Sequence, residues 1–257
     1  MDVVIRQTPK EVAQLAATIM ARYVSEGKNI GLATGSTPLL TYRELIAKHR
    51  EGLSFANTTA FLLDEYVGLP EDHEQSYHYT IYNEFTQYVD FADGAVHTPD
   101  GMNPRTDEAG REYEAAIEAA GGIDIQLLGV GTNGHVGFNE PGSSFDSLTR
   151  LKTLHPQTRR DNARFFGSLE EVPIHVVTQG LGTIRRAGHL LLLATGENKA
   201  DAVARLVEGP VSAMMPASVL QLHRHATVIV DEAAASQLQE TEFYRFVDAN
   251  RPEWQAY

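Results

Sequence analysis

Polar residues that could act on a small substrate follow two short apolar runs of the sequence. Asp64 and Glu65 follow the run TTAFLL, and His135 lies in the glycine-rich segment GVGTNGHVGFNEP, five residues before Glu140. Histidine titrates between about pH 5 and pH 8, and a neighbouring carboxylate would orient its ring. A carboxylate at a strand end could be a general base. Two simpler interpretations stay open from these residues alone: a solvated acidic turn at Asp64 and a structural role for the histidine.

A possible anion site follows another apolar run, NIGLAT. The segment TGST (residues 34–37) offers a flexible glycine and two hydroxyls beside the free N–H groups of a helix N-terminus, which favours binding of an anion. An ordinary strand–helix turn would look the same. Lys199 lies in the first turn of a later predicted helix, and Arg164 lies among aromatic residues; both are cations that a phosphate could attract, although Lys199 could also be an ordinary solvated lysine.

The segment GVGTNG also fits the GxGxxG pattern of dinucleotide-binding proteins. Such a site needs a helix directly after the glycines and an acidic residue about 20 positions later. Here the chain continues into the turn sequence NEPG, and residues 150–157 hold no acidic side chain. The sequence therefore argues against a nucleotide cofactor.

Composition excludes several classes of function. The 257 residues carry a formal net charge of −13, so a basic surface for nucleic acid is not expected. No cysteine is present, which excludes disulfides, thiolate catalysis and zinc held by cysteine. The N-terminal sequence lacks an apolar signal segment, and no run is long enough to cross a membrane, so we expect a cytoplasmic protein.

The elements that must position these residues alternate between strands and helices. Short apolar runs without polar alternation are typical of strands buried on both faces of a parallel sheet. We therefore expect an α/β fold, a three-layer α/β/α sandwich with a mostly parallel, Rossmann-like sheet, in one domain spanning residues 1–257. The predicted strands are 29–34, 58–63, 123–129, 174–178, 189–194 and 226–230; the predicted helices begin at the capping box Thr8–Glu11, at Ser36 and at Asn103, or cover 76–88, 197–207 and 232–249.

The motifs together resemble one family, the glucosamine-6-phosphate deaminases. LATGSTP, LDEYVGLP, GTNGHVGFNEPGSSF, NARFF and GENK occur in this order, over about residues 5–248. The resemblance implies deamination and isomerisation of D-glucosamine 6-phosphate to D-fructose 6-phosphate and ammonia. It therefore implies an enzyme, which we expect to belong to the hydrolase class. It implies a small amino-sugar phosphate as substrate and neither a metal nor another cofactor.

The resemblance also implies a role for each matched residue. Asp64 would move the proton from C2 to C1, and His135 would open the sugar ring. Glu140 would orient the histidine, and Asn133 is counted with them among the catalytic residues. The residues expected to hold the substrate and its phosphate are Thr34, Gly35, Ser36, Thr37, Glu65, Gly134, Arg164 and Lys199.

Three further expectations concern departures from the family pattern and regulation. Many members carry Asp where Asn133 stands, so a carboxylate–histidine–carboxylate triad would be reduced here. Arg150 and Lys152 match positions that bind an allosteric amino-sugar phosphate in hexameric members, but the short C-terminal end resembles monomeric members. We therefore favour a monomer without this regulation, with a homo-oligomer as the alternative. A mobile lid is expected over residues 142–166.

Two rival functions remain to be separated from this one. A 6-phosphogluconolactonase would share the fold and the phosphate loop but would be expected to lack the FNEP segment. A sugar-phosphate sensor domain would accompany a DNA-binding helix-turn-helix, for which a first strand near residue 29 leaves no room. Release of ammonia from glucosamine 6-phosphate would distinguish all three.

Overall fold

The computed structural model describes residues 1–255, apart from the side chains at positions 161 and 254. The strands are β1 Asp2–Arg6, β2 Ile30–Leu32, β3 Ala60–Leu62, β4 Asp64–Tyr66, β5 Val96–His97, β6 Ile125–Leu128, β7 Arg150–Thr153, β8 His175–Thr178, β9 His189–Ala194 and β10 Ala226–Asp231. The α-helices are α1 Pro9–Ser25, α2 Ser36–Arg50, α3 Tyr77–Glu84, α4 Thr106–Ala119, α5 Pro156–Asn162, α6 Leu181–Arg185, α7 Ala200–Val207 and α8 Thr241–Ala249. Short 3₁₀ segments are Thr86–Tyr88, Ala163–Phe165, Glu197–Lys199, Pro216–Leu222 and Glu253–Gln255.

A seven-stranded parallel sheet forms the centre of the molecule. Its strand order is β1-β10-β9-β6-β2-β3-β5. Alternate residues of these strands face two separate cores, one against α1, α2 and α3 and the other against α4, α6 and α7. The expected three-layer α/β/α fold with a mostly parallel sheet is confirmed.

A second sheet of three antiparallel strands, ordered β4-β8-β7, adjoins the carboxyl end of β3. The chain passes from β3 into β4 through a single residue, Leu63, and so transfers directly from the central sheet to the small one. This connection places Asp64 at the carboxyl edge of the central sheet, where ligands bind in open α/β folds.

All six predicted strands are present, mostly with tighter bounds, but the element order at the N-terminus was predicted wrongly. The first strand is not the one near residue 29, because β1 precedes it and pairs in parallel with β10 from Asp2↔Thr227 to Arg6↔Asp231. The three apolar residues Val3–Ile5 are too few to predict a strand without knowledge of this partner.

Several helix predictions need correction at their ends. Capping of α1 is as predicted at Thr8, whose hydroxyl accepts a hydrogen bond from the Glu11 amide at 3.2 Å. Helix α4 begins at Thr106 rather than at Asn103. The last helix covers only Thr241–Ala249 rather than 232–249, because the preceding residues form turns.

Those turns have a visible cause. The Asp231 carboxylate accepts a hydrogen bond from the Ala234 amide at 2.8 Å, and the Glu208 carboxylate accepts bonds from the amides of Gln239 and Glu240. Both carboxylates hold backbone N–H groups that a continuous helix would use internally. Among the described residues, no helix is long and apolar enough to cross a membrane.

Candidate active site

The glycine-rich loop after β6 brings the backbone very close to the ring of His135. A Cβ atom at Gly131 would lie only 2.2 Å from the imidazole Cε1, and one at Gly134 would lie 2.2 Å from the Met215 sulfur. Gly134 also has a φ of +87°, in the left-handed region that favours glycine. The Gly131 amide donates to the carbonyl of His135 at 2.9 Å and closes the loop. These glycines therefore serve to seat the histidine ring.

An amide side chain connects His135 to Glu140. Nδ1 of His135 lies 2.7 Å from Oδ1 of Asn133, and Nδ2 of Asn133 donates to Oε2 of Glu140 at 2.6 Å. The direct distance from His135 Nδ1 to Glu140 Oε2 is 3.7 Å. Since a carboxylate only accepts, the amide nitrogen must face Glu140 and the amide oxygen must face the histidine. His135 then donates from Nδ1, and in the neutral ring Nε2 is the nitrogen that carries no proton.

Asp64 is a buried carboxylic acid that lies against the histidine loop. Its side chain is 5% exposed, and its Oδ2 would lie 3.4 Å from a Cβ at Gly137, two residues after His135. Burial raises the pKa of Asp64 well above its ordinary value, and the charge of the adjacent Glu65 adds to that rise. A carboxylate with a raised pKa is a stronger base, which suits removal of a proton from carbon.

Glu65 points away from Asp64, as alternation along a strand requires. Its Oε1 accepts hydrogen bonds from the backbone amides of Tyr66 and Tyr77 at 2.8 and 3.0 Å, and its Oε2 accepts one from the amide of His78 at 2.9 Å. Burial raises its pKa despite these donors. The carboxylate thus holds the N-terminus of α3 against β4, and the expected part of Glu65 in substrate binding stays a prediction.

The TGST segment forms the start of α2, as the sequence suggests. Gly35 has a φ of +115° and occupies the N-cap position, where no side chain caps the helix. The first N–H groups of this 15-residue helix are therefore available to an anion. The hydroxyls of Thr37 and Thr195 lie 3.5 Å apart, so the loop after β9 meets the loop after β2.

Lys199 links the anion cradle, formed by residues 34–37 at the start of α2, to the histidine loop. Its ammonium donates to the carbonyl of Val130 at 2.8 Å, five residues before His135, and burial lowers its pKa. The loop that carries the lysine is held in turn by Asp231, both oxygens of which accept from the Gly196 amide at 3.0 Å. The cradle and the acid–base groups are thus neighbours at one edge of the sheet.

Arg164 is the predicted phosphate ligand that the structure does not bring to the cradle. Its side chain is exposed, and its guanidinium carbon lies 4.6 Å above the ring of Phe165. Arg150 and Lys152, the possible allosteric pair, lie on β7, and burial lowers the pKa of Arg150. The role of each of these three residues stays a prediction.

The segment 142–166 is more structured than a simple lid. It contains β7, which pairs with β8 over four residues from Arg150↔Thr178 to Thr153↔His175, and helix α5. Thr158 of α5 donates to Oε1 of Glu140 at 2.7 Å, and Asn162 donates to the hydroxyl of Tyr66 at 2.8 Å. These contacts hold α5 against the site, and a mobile lid over residues 142–166 stays a prediction.

A cavity of about 660 Å³ lies between residues 72–75 and 165–171. Its lining includes Asp72, Glu74 and Glu171 together with Phe165 and Phe166. Three carboxylates would repel a sugar phosphate, so we place the substrate at the Asp64–His135 edge instead. No three His, Asp or Glu side chains among the described residues are grouped closely enough to hold a metal ion.

Some residues of the site carried no signal in the sequence. Thr158, Thr195 and Asp231 are single polar residues in unremarkable surroundings, and only the folded chain shows that they contact the Glu140 carboxylate, the TGST loop and the Gly196 amide. Tyr66 lies within the quoted motif LDEYVGLP, but nothing in that motif indicates that its hydroxyl accepts from Asn162.

The chain is similar to known proteins in family, sequence and fold. The model of the family described as glucosamine-6-phosphate isomerases/6-phosphogluconolactonase matches residues 2–229. A glucosamine-6-phosphate deaminase of Corynebacterium urealyticum is 98% identical over 257 residues, covering 100% of both chains.

Two solved structures have the same fold. A monomeric glucosamine-6-phosphate deaminase superposes with a TM-score of 0.90 at 45% identity, covering 92% of this chain and 100% of its own. A 6-phosphogluconolactonase from Trypanosoma cruzi has a TM-score of 0.74 at 21% identity, covering 93% of this chain and 97% of its own, a similarity that concerns the fold alone.

Proposed function

The chain belongs to the family of glucosamine-6-phosphate isomerases and 6-phosphogluconolactonases, and we propose that its activity is that of a glucosamine-6-phosphate deaminase. The enzyme converts D-glucosamine 6-phosphate and water to D-fructose 6-phosphate and ammonia, a reaction of amino-sugar metabolism. The deaminases are similar to it at 98% and 45% identity, whereas the lactonase has only 21%.

The observation that carries the proposal is the pairing of two acid–base groups at one edge of the sheet. Opening a pyranose ring and moving a proton between adjacent carbons are separate proton transfers, and the site offers His135 for one and Asp64 for the other. Hydrolysis of a lactone needs a base to activate water, but it needs no second base aimed at a carbon.

Ring opening is assigned to His135. With Nδ1–H donated to Asn133, Nε2 accepts the proton of the C1 hydroxyl and returns it to the ring oxygen as the C1–O5 bond breaks. The negative charge of Glu140, 3.7 Å from Nδ1, stabilises the imidazolium formed between these two transfers.

Proton transfer between carbons is assigned to Asp64. Its carboxylate removes the C2 proton of the open-chain aldehyde, while the C1 oxygen takes a proton from the substrate's ammonium group, giving an enolamine. The protonated Asp64 then delivers its proton to C1, which leaves an iminium ion at C2. Water adds to C2 and passes a proton to the nitrogen, and the carbinolamine then collapses to the ketone with loss of ammonia and one proton, together an ammonium ion.

The phosphate group is assigned to the cradle at the start of α2. Gly35, Ser36 and Thr37 present N–H and hydroxyl groups, and Lys199 adds a positive charge that burial makes costly. Bound phosphate would offset that cost. Thr34 precedes Gly35 at the start of α2, and Gly134 precedes His135 in the histidine loop. The assignment of Arg164 to the phosphate requires that the segment after β7 moves inward.

Three further expectations, on domain number, oligomeric state and location, belong to the same proposal. One domain over residues 1–257 is supported by the pairing of β1 with β10 and by the ion pair of Arg251 with Asp2 at 2.9 Å. A monomer without allosteric control at Arg150 and Lys152 is supported by the similarity to a monomeric deaminase. A cytoplasmic location is supported by the metabolic role.

The test is release of ammonia from glucosamine 6-phosphate by the purified chain, measured beside hydrolysis of 6-phosphogluconolactone. We expect ammonia and fructose 6-phosphate in equal amounts, no lactone hydrolysis above the spontaneous rate, and loss of ammonia release in Asp64→Asn. Enzyme-dependent hydrolysis of the lactone without release of ammonia would overturn the proposal.

A further inference from the structure

Glu140 is positioned by two donors, one from its own loop and one from elsewhere in the chain. Asn133 occupies Oε2 at 2.6 Å, and the hydroxyl of Thr158 occupies Oε1 at 2.7 Å. The Glu140 side chain is only 12% exposed, so water is a limited alternative partner for these oxygens. Removing either donor leaves one of the two oxygens without this partner and the carboxylate held from one side only.

The hydrogen bonds that link Thr158 to His135 converge on the Glu140 carboxylate. Thr158 donates to Glu140, Asn133 donates to the other oxygen of Glu140, and His135 donates to the oxygen of Asn133. Because Asn133 is neutral, the negative charge of Glu140 acts on the histidine through the amide and across the 3.7 Å between Oε2 and Nδ1. The position of Glu140 therefore matters more here than it would beside a charged neighbour that touched the histidine directly.

Helix α5 carries a second contact on the same face as Thr158. Asn162 lies four residues later, one turn along the helix, and donates to the Tyr66 hydroxyl at 2.8 Å. Tyr66 follows Asp64 by two residues on β4. One face of α5 thus contacts both Glu140, which is linked to His135 through Asn133, and strand β4, which carries Asp64.

The hydroxyl of Thr158 has an ordinary alternative that it does not use. Threonine inside a helix commonly donates to the carbonyl four residues earlier. Here it donates instead to a carboxylate 18 residues away in sequence. The hydrogen bond therefore contributes to the site rather than to the helix.

From this geometry we infer that Thr158 is a positioning residue for the deaminase reaction: its hydroxyl fixes Glu140 and, through Asn133, the His135 ring when α5 lies over the site. The inference rests on the proposed function. Opening of the lid predicted over residues 142–166 would remove this control, because departure of α5 takes away one of the two donors on Glu140.

The experiment compares Thr158→Val, which keeps the shape and removes the hydroxyl, with Thr158→Ser, which keeps the hydroxyl. We expect Thr158→Val to lower kcat about 10-fold, as loss of a hydrogen bond to a charged group would, with KM changed less than about twofold. Thr158→Ser should recover most of kcat.

The matched control is Thr153→Val in the same segment. The Thr153 hydroxyl is exposed and lies 3.3 Å from His175 Nδ1, away from Glu140, so its removal should leave kcat unchanged. The ¹⁵N chemical shifts of the His135 ring, measured by NMR without substrate, should change in Thr158→Val and not in Thr153→Val.

The outcomes separate this inference from the proposed function. Wild-type enzyme that releases no ammonia from glucosamine 6-phosphate would overturn both. Active wild-type enzyme together with an unaltered kcat and an unaltered His135 spectrum in Thr158→Val would overturn only the role of Thr158. The same conclusion would follow if Thr158→Ser were as slow as Thr158→Val, or if Thr153→Val lost as much activity.

Discussion

Replacing Asp64 with Asn removes a negative charge from a position that is 5% exposed while keeping the size of the side chain. Burial and the neighbouring Glu65 both disfavour the ionised form of Asp64 and raise its pKa well above its ordinary value. The folded protein therefore holds a base that is costly to stability and useful to catalysis. We expect Asp64→Asn to be more stable and inactive at the same time.

The size of the stability gain has an upper limit. A buried carboxyl can always become neutral by binding a proton, which costs about 1.4 kcal/mol for each pH unit above its ordinary pKa of 3.8. The penalty in the wild-type protein is thus at most about 4 kcal/mol at pH 7. Because the new amide brings polar groups that also need partners, we expect a net gain of about 1–2 kcal/mol.

The pH dependence gives the sign of the effect. For an acid whose pKa is raised in the folded state, the wild-type stability is highest at low pH and falls as pH rises from 3.8 toward the folded pKa. The advantage of Asp64→Asn should therefore be absent near about pH 4 and grow toward pH 7. Urea unfolding of both proteins between about pH 5 and pH 8 measures it.

The control is Glu65→Gln, and it should act in the opposite direction. Both Glu65 oxygens accept backbone N–H groups, so a glutamine must turn its own NH₂ group toward another donor. We expect it to lose about 1–3 kcal/mol of unfolding free energy and to keep exchange of the fructose 6-phosphate C1 hydrogen with deuterated solvent. Our reasoning would be refuted if Asp64→Asn kept this exchange, or if its stability advantage did not change with pH.

Three further predictions concern other groups. His135→Gln should lower kcat by about 10²–10⁴, and near-normal turnover would exclude it as the ring-opening group. Lys199→Ala and Arg164→Ala should each raise KM about 10–100-fold, and an unaltered KM in Arg164→Ala would show that this exposed side chain does not reach the phosphate. Burial, followed by the charges of His225 and His223, lowers the pKa of His189 to about 3, so the folded state should lose about 2 kcal/mol as pH falls from about 6.5 to 5. In urea unfolding, His189→Gln should flatten this pH dependence; an unaltered slope would contradict the assignment.

The sequence was most informative where chemistry and backbone geometry impose the same residue. Gly134 is needed both for its left-handed φ and for the contact with Met215, and His135 follows it directly. A glycine-rich loop at a strand end with one titratable side chain is visible without a structure. Asp64 was identified in the same way, from its place after an apolar run.

Elements that depend on a distant partner were not predictable. Strand β1 exists because β10, more than 200 residues later, supplies its hydrogen bonds. The last helix begins late because Glu208, on the residue after α7, holds the amides of Gln239 and Glu240. Neither interaction changes the local pattern of apolar residues, which is the signal that a sequence offers.

Asn133 shows how a departure from a family pattern can be understood only with coordinates. From the sequence, an asparagine in place of an aspartate means one charge fewer beside the histidine. In the structure the amide does something that an aspartate could not do, because its NH₂ group donates to Glu140 while its oxygen accepts from His135. An aspartate there would place two carboxylates about 2.6 Å apart, and they would have to share a proton or separate. The neutral amide therefore lets Glu140 lie close to His135 without repulsion between two carboxylates. The effect of Glu140 on the histidine then depends on where its carboxylate lies, and Thr158 holds that carboxylate from the far side.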